Sequence, residues 1–384
     1  MRVCVLIPVL DAYKGGNHLP LLRALPDVQF TILTNRTKPV HPSLPSNVDV
    51  QTLGGRTGPY YYGCSDWMFA HSVLRKYPAS DPFWRSFDVI HLNQTMGPAL
   101  KQLSKTDVPL LFTIHHPVTV DRDIAVEESS FFEAMLWRLK YANLVRWQQG
   151  LCHRATRVMT VSKTVSDRLV HDYGIAAGKI SIVPNGVDGE TFKPDDDGHI
   201  EFDVIALGSF IHPRKGCLYL LDVYRALSAK GLRIADVGRR SDDQRRILAS
   251  IPNVHIFGTV ESEQLVFLIR RSATLISTSL YEGFGLSLIE ALACGRPAFA
   301  FDAGATGEVL RPVDPSLVVP VRDVDALVRR VMAFLALPTS ERRSKGRLYR
   351  EAVLQRYPLQ KSADLLRTCY QQIVVRQEGI GVRD

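Results

Sequence analysis

The amino-acid sequence predicts an α/β protein made of two Rossmann-like βα domains that face each other across a cleft. Three features carry that expectation. Short, continuously apolar runs recur along the chain, and each is followed by a stretch whose apolar residues have helical spacing. The rhythm breaks once, at "KPDDDGH" (193–199), and then restarts. Within the runs, apolar residues do not alternate with polar ones, which is the pattern of strands buried on both faces in parallel sheets covered by helices.

Taken in order, the strands of the first half are expected in "RVCVLIPV", "VQFTILT", "DVIHLN", "PLLFTIHH", "ATRVMTVS" and "ISIVPNG". Those of the second half are expected in "FDVIALGS", "LRIADVG", "NVHIFG", "ATLIST" and "PAFAFD". The acidic, glycine-containing stretch between the halves is the best linker candidate, and no short repeat or low-complexity tract competes with it. A length of 384 residues agrees, since domains of roughly 150–200 residues would make two.

The formal charge is +8, from 47 basic and 39 acidic residues. It suits an anionic partner: a nucleotide, a phosphorylated substrate or an acidic membrane surface. No basic run is interleaved with aromatics as a nucleic-acid groove requires, so nucleic acid is not an expected partner. Cys4, Cys64, Cys152, Cys217, Cys294 and Cys369 stand far apart with no C-x-x-C pair. That spacing argues against a zinc site or a disulfide framework and fits a reducing compartment. The start "MRVCVLIPVL" contains Pro8 and meets Asp11 without a small-residue cleavage site, so it reads as a first buried strand rather than a signal peptide. No apolar stretch is long enough to span a bilayer. The expected location is the cytoplasm, with peripheral contact at the inner face of an anionic membrane compatible with the charge.

In open α/β sheets, ligands bind beyond the carboxyl ends of the strands. That rule selects Gly15–Gly16, His115–His116, Ser209–Gly216, Gly238–Arg240 and the stretch "YEGFGLSLIEALACG" (281–295). In the last of these, Gly283-Phe284-Gly285 is expected to turn a strand into a helix. Amides at a helix start attract anions, and glycines let a phosphate approach the backbone closely. Glu282 precedes the turn and Glu290 lies inside the helix, and carboxylates accept hydrogen bonds from hydroxyls. A diphosphate over the turn with a polyol on each side, as in a nucleotide-sugar, satisfies all three elements. Lys215 opens the next helix, where a cation opposes the helix dipole, and this favours an anionic ligand beside it.

With these residues in view, "YEGFGLSLIEALACGRP" resembles the E-x7-E signature of the retaining glycosyltransferases of GT-B fold, specifically their large family 4, or group 1. The resemblance extends to "KGGN", "DVIHLN", "TIHHP", "VMTVSKTVSDRL", "IVPNGVD", "PRKG", "NVHIFGTVESEQL" and "DAGATGEVL". It implies an acceptor-binding domain at 1–192, a nucleotide-sugar-binding domain at 193–365, and a carboxyl-terminal helix or tail at 366–384 that packs back toward the first. It further implies that the amide of Gly16 meets the donor phosphate, His115 contacts the transferred sugar and Lys215 neutralises the leaving diphosphate. Glu282 would hold sugar hydroxyls, the turn at Gly283 with the amides of Phe284 and Gly285 would support sugar and phosphate, and Glu290 would accept from the ribose. No cofactor or metal is implied; the donor is a UDP- or GDP-linked sugar, and the partner is a hydroxyl acceptor such as a glycan, a lipid or a small metabolite.

One position departs from the family pattern. Relatives usually carry an arginine after the glycine of the "VIALG" strand, and this chain has Ser209 there, six residues before Lys215. Arg214 stays beside the lysine, and Arg239 or Arg240 is the candidate to replace the missing cation. Other readings remain open on the residues alone. Gly283-Phe284-Gly285 with Asp302 suggests an NAD-type oxidoreductase, against which Leu288 occupies the place of a third glycine. A sugar-nucleotide epimerase or a non-catalytic GT-B subunit would share the fold. Asp121 and Asp123 form a D-x-D pattern that recurs at Asp195–Asp197 and Asp323–Asp325, a poor signal for a metal. The stretch "FFEAMLWRLKYANLVRW" (131–147), with Arg138, Lys140 and Arg146, is expected to be a core-packing helix with snorkelling bases. Its alternatives are to lie on a membrane or to cover an acceptor pocket. The tyrosines of "GPYYYGCSDW" either stack on a sugar or fill a loop.

Overall fold

The computed structural model describes residues 1–10, 18–37, 44–55, 63–93, 95–195 and 198–380. Gly15 and Gly16, the "KGGN" stretch, Tyr60, Tyr61 and Tyr62, and Asp196 and Asp197 lie outside the described residues. The chain divides into two compact α/β units, Met1–Gly186 together with Leu359–Asp384, and Val187–Pro358.

The first unit is built on a seven-stranded parallel sheet. Its order is Val48–Thr52, Gln29–Thr34, Arg2–Leu6, Val89–Asn93, Leu110–Ile114, Arg157–Thr160, Ile180–Ile182. The apolar runs fill both faces by strict alternation. Cys4 and Leu6 enter one core with Ile90, Leu92 and Phe112, while Val3, Val5 and Ile7 enter the other with Ile32, Val89 and Leu111. The winding reverses between Arg2–Leu6 and Val89–Asn93, so the strand ends there form the topological switch point where α/β sheets take ligands.

The helix Leu359–Ile380 belongs to this unit. Ala363, Leu366, Cys369, Tyr370 and Ile373 recur at helical spacing and complete the second core. The Tyr370 hydroxyl lies 2.8 Å from Nδ1 of His91, whose Nε2 lies 2.6 Å from the Thr113 hydroxyl, so a buried polar chain links helix and sheet. Removing an aromatic ring buried this fully typically costs about 3–5 kcal/mol.

The helix Phe131–Arg154 starts where Glu133 reaches back to accept from the Ser130 amide, at 3.1 Å. Its inner stripe is Ala134, Tyr141, Leu144, Gln148, Leu151 and Cys152. The expectation of a core-packing helix holds from Tyr141 onward, while before it only Ala134 and Trp137 reach the core and most apolar side chains stay outside. Phe131, Phe132, Met135, Leu136 and Leu139 are 78%, 75%, 48%, 53% and 64% exposed. The reason is geometric: a straight helix lays only one stripe on a core, and this segment is apolar on several sides.

The second unit carries a six-stranded parallel sheet in the order Val254–Gly258, Ile234–Val237, Phe202–Leu207, Ser272–Ser277, Ala298–Phe301, Val318–Val319. The two units are Rossmann-like. The divisions fall at 186/187 and 358/359, where the acidic linker suggested 192/193 and the family resemblance implied 365/366. Residues 187–192 already pack on the second unit: Phe192 is buried, and Arg350 donates to the carbonyls of Gly189 and Phe192 at 2.9 and 2.6 Å. The Val187 amide donates to Tyr357 at 2.9 Å, beside the second division.

Candidate active site

The site of the second unit grows from three adjacent strand ends. The central strand Phe202–Leu207 leads to Ser209 and the turn Pro213–Lys215, Ile234–Val237 leads to Arg239 and Arg240, and Ser272–Ser277 leads to Glu282 and the Gly283–Gly285 turn.

The basic turn and the acidic turn are stapled together by backbone. The Leu280 amide donates to the Arg214 carbonyl at 2.7 Å, and Arg214 Nη1 donates to the Tyr281 carbonyl at 2.8 Å. Gly216 has φ 64 and presses against Thr278, so any Cβ there would strike the Thr278 carbonyl oxygen. This close approach brings Lys215 Nζ within 2.5 Å of Glu282 Oε1, with Arg214 Nη1 3.9 Å from Glu282 Oε2. Burial opposes the charge on Glu282, but Lys215 and Arg214 outweigh it and hold the carboxyl down at about 2. Glu282 is therefore an anion at every working pH. Its backbone is held from the other side by the "DAGATG" turn, where the Ala305 amide donates to the Glu282 carbonyl at 2.8 Å. Gly304, with φ 61, leaves room for that contact, since a Cβ would strike the same carbonyl.

The Phe284 ring is buried and meets Tyr357 edge-on, with centroids 5.3 Å apart. The ring anchors the turn. Gly285, at φ 87, begins the helix Leu286–Ala293, and no side chain caps it. Glu290 lies within that helix, buried, and burial pushes its carboxyl up to about 7. The two acids of the "YEGFGLSLIEALACG" stretch thus differ in kind: one is a permanent anion paired with cations, and the other is poised near neutrality.

Ser209 is exposed at its strand end. Of the two arginines expected to replace the missing cation, Arg240 is spent elsewhere. Its Nη2 pairs with Asp236 at 2.5 Å, with side chains 1% and 0% exposed. Its Nη1 donates to the Gly208 carbonyl at 2.6 Å, and its guanidinium lies 4.3 Å from the Phe210 ring centroid. Bringing Arg240 to a ligand would break a buried ion pair, so its place is to hold the loop that carries Ser209. Arg239 is the exposed member.

In the first unit, the strand Leu110–Ile114 delivers His115 to a cavity lined also by His91, Asn93, Thr113, Asn185 and Ser362. His116 turns away and pairs with Asp121 at 2.9 Å, which gives it a structural partner. Asp123 pairs with Arg122 at 2.7 Å and with Arg168 at 3.9 Å. Among the described residues, no three His, Cys, Asp or Glu side chains gather as a metal cluster would. Asn93 was missed by sequence reasoning. It is 1% exposed, and its Nδ2 has no hydrogen-bond partner among the described residues. The available signal was a polar amide closing the strand of "DVIHLN".

Comparison with known proteins gives two family matches, Glycosyltransferase Family 4 over residues 21–191 and Glycosyl transferases group 1 over residues 201–336. The MMP alpha-(1->4)-mannosyltransferase of Mycolicibacterium hassiacum is 31% identical over 275 residues, which is 70% of this chain and 66% of that protein. The phosphatidyl-myo-inositol mannosyltransferase of Mycolicibacterium smegmatis is 26% identical over 359 residues, 87% of this chain and 85% of that one. Among solved structures, sucrose-phosphate synthase from Thermosynechococcus elongatus superposes with a TM-score of 0.76 at 20% identity, over 98% of this chain and 99% of that one. Anabaena HepE in complex with UDP and glucose gives 0.72 at 16% identity, over 97% and 100%. At such identities, the structural likeness is one of fold.

Proposed function

The chain belongs to the group 1, family 4 glycosyltransferases of GT-B fold, and from that premise we propose that it moves a hexosyl group from a nucleoside diphosphate sugar to a hydroxyl acceptor, with retention of anomeric configuration. The observation that carries the reading is the cluster of Lys215, Arg214 and Glu282 beside the Gly283–Gly285 helix entry, held there by backbone contacts between two strand ends. Cations and helix amides suit a diphosphate, and a permanent carboxylate suits sugar hydroxyls.

In this reading, the second unit binds the donor. The diphosphate lies over the Phe284 and Gly285 amides with Lys215 and Arg239 as its cations, Glu282 holds sugar hydroxyls, and Glu290 accepts from the ribose. The first unit binds the acceptor, and its His115 is the residue that the family resemblance assigns to the transferred sugar. The acceptor oxygen attacks the anomeric carbon on the face that the phosphate leaves. The carbon–phosphate-oxygen bond breaks with its electron pair on the phosphate, and that oxygen takes the acceptor's proton. No protein nucleophile enters, so stabilising the leaving charge is the main catalytic contribution. The matched relatives named as mannosyltransferases support a hexosyl group as what is moved, and the HepE complex with UDP and glucose supports a nucleoside diphosphate as its carrier.

Two observations count against the oxidoreductase alternative: Leu288 is packed in the core, and Asp302 is paired with Arg311. The test is a thermal-shift screen with UDP, GDP, ADP and TDP, because a ligand of the native state alone raises stability with occupancy. It is followed by NMR of the anomeric linkage formed from the matching sugar nucleotide. No response to any nucleoside diphosphate, or an inverted linkage, would refute the reading.

A further inference from the structure

We propose that the outer face of the helix Phe131–Arg154 is a docking surface for an anionic lipid bilayer. At roughly 100° per residue, Phe131, Met135, Leu139, Phe132 and Leu136 share an arc of about 140°, opposite the stripe of Tyr141, Leu144 and Gln148 that packs on the core. All five are well exposed. Contiguous apolar exposure of this kind marks a contact surface rather than ordinary solvated protein.

The charges flanking the arc identify the occupant. Arg138 lies about 20° beyond Phe131 on one edge, and Lys140 about 40° beyond Leu136 on the other. The Lys140 ammonium sits 4.2 Å from the Trp137 ring centroid, which keeps its stem along the helix. The helix holds the bases Arg138, Lys140, Arg146 and Arg154 against the single acid Glu133, a net +3 from four minus one. Glu133 is turned back to cap Ser130. An apolar stripe with bases along both margins is how an interfacial helix lies in a membrane, its rings and leucines among acyl chains and its cations at the phosphates. A second copy of the chain fits worse. Pairing two such faces would set Arg138 and Lys140 of one against the same bases of the other, whichever way the helices ran.

The experiment is flotation of the full chain with vesicles of phosphatidylcholine alone or mixed with phosphatidylglycerol. It needs no sugar donor, so its outcome is separate from that of the proposed reaction. The protein is expected to float with the anionic vesicles and to stay behind with the neutral ones. Two variants should each cut the vesicle-bound fraction about tenfold or more, one combining Phe132→Ser, Leu136→Ser and Leu139→Ser, the other Arg138→Glu and Lys140→Glu. Both should keep the parent's melting temperature, since the altered side chains are on the surface. The proposal is overturned by failure to bind anionic vesicles, by equal binding to neutral ones, or by a triple-serine variant that floats like the parent. It is equally overturned if sedimentation shows a dimer that this variant dissolves, since the face would then belong to a second copy.

Discussion

Lys215 and Glu282, 67 residues apart in the chain, form a 2.5 Å ion pair with side chains 23% and 17% exposed. Neither loop alone would create it. The pair exists because two neighbouring parallel strands end side by side and Gly216 lets their loops touch.

That pair makes Lys215 the most consequential cation of the proposed reaction. Charge grows on the leaving diphosphate as the transition state forms, so Lys215→Ala should lower kcat more than it raises KM. The loss of one charged contact is worth roughly 1.5–3 kcal/mol, or about ten- to a hundredfold in kcat/KM. Steady-state kinetics that match the parent would remove Lys215 from the mechanism.

Glu290 should make stability and nucleotide binding depend on pH in opposite senses. Burial raises its carboxyl from 4.5 to about 7. Between those values the folded state binds the extra proton, so stability is lost as pH rises, by about 3 kcal/mol in all. Melting curves of the parent should fall across this window, and those of Glu290→Gln should stay flatter. Ribose hydroxyls prefer the ionised form, so nucleotide affinity should rise toward about pH 7 and above. Glu290→Ala should weaken binding by roughly 1.5–3 kcal/mol. Calorimetric titration at pH 6 and pH 8 would expose the contrary case, a nucleotide affinity blind to both pH and substitution.

Arg239 and Arg240 should separate cleanly. Arg240→Ala leaves the buried Asp236 carboxyl without its cation, which should cost about 3–5 kcal/mol of stability and lower the melting temperature. Arg239→Ala should leave the melting temperature unchanged and lower kcat/KM about tenfold or more. With Arg239 in place, Ser209→Arg should add little. If Ser209→Arg sharply raises turnover while Arg239→Ala behaves like the parent, the site works with Lys215 as its main cation and Arg239 is a bystander.

Transfer should persist in excess EDTA. In the proposed reaction Lys215 and the helix amides supply the positive charge, and Asp121 and Asp123 are tied to His116, Arg122 and Arg168. Activity abolished by chelation and restored by Mg2+ or Mn2+ would assign the two aspartates to a metal after all.

Much of this was legible in the sequence because it depends on local chemistry. Unbroken apolar runs demand strands covered on both faces, and both cores use them in that way. Gly283 to Gly285 between a strand and a helical stripe demands a turn at a helix start, and the helix begins at Leu286. What the sequence could not decide was the use of chemically equal neighbours. His115 and His116 are adjacent, yet His115 lines the cavity of the first unit and His116 pairs with Asp121. Arg239 and Arg240 are adjacent, yet only Arg240 finds Asp236 and the Gly208 carbonyl. The acidic stretch at 193–199 looked like the boundary, but Arg350, more than 150 residues on, draws residues 187–192 onto the second unit. The helix at 131 is apolar on several sides, and only the packed structure decides that Ala134 goes in while Phe131, Phe132, Met135 and Leu136 stay outside the core. In each case the deciding contact comes from a distant segment, and burial is a property of that contact rather than of the residue.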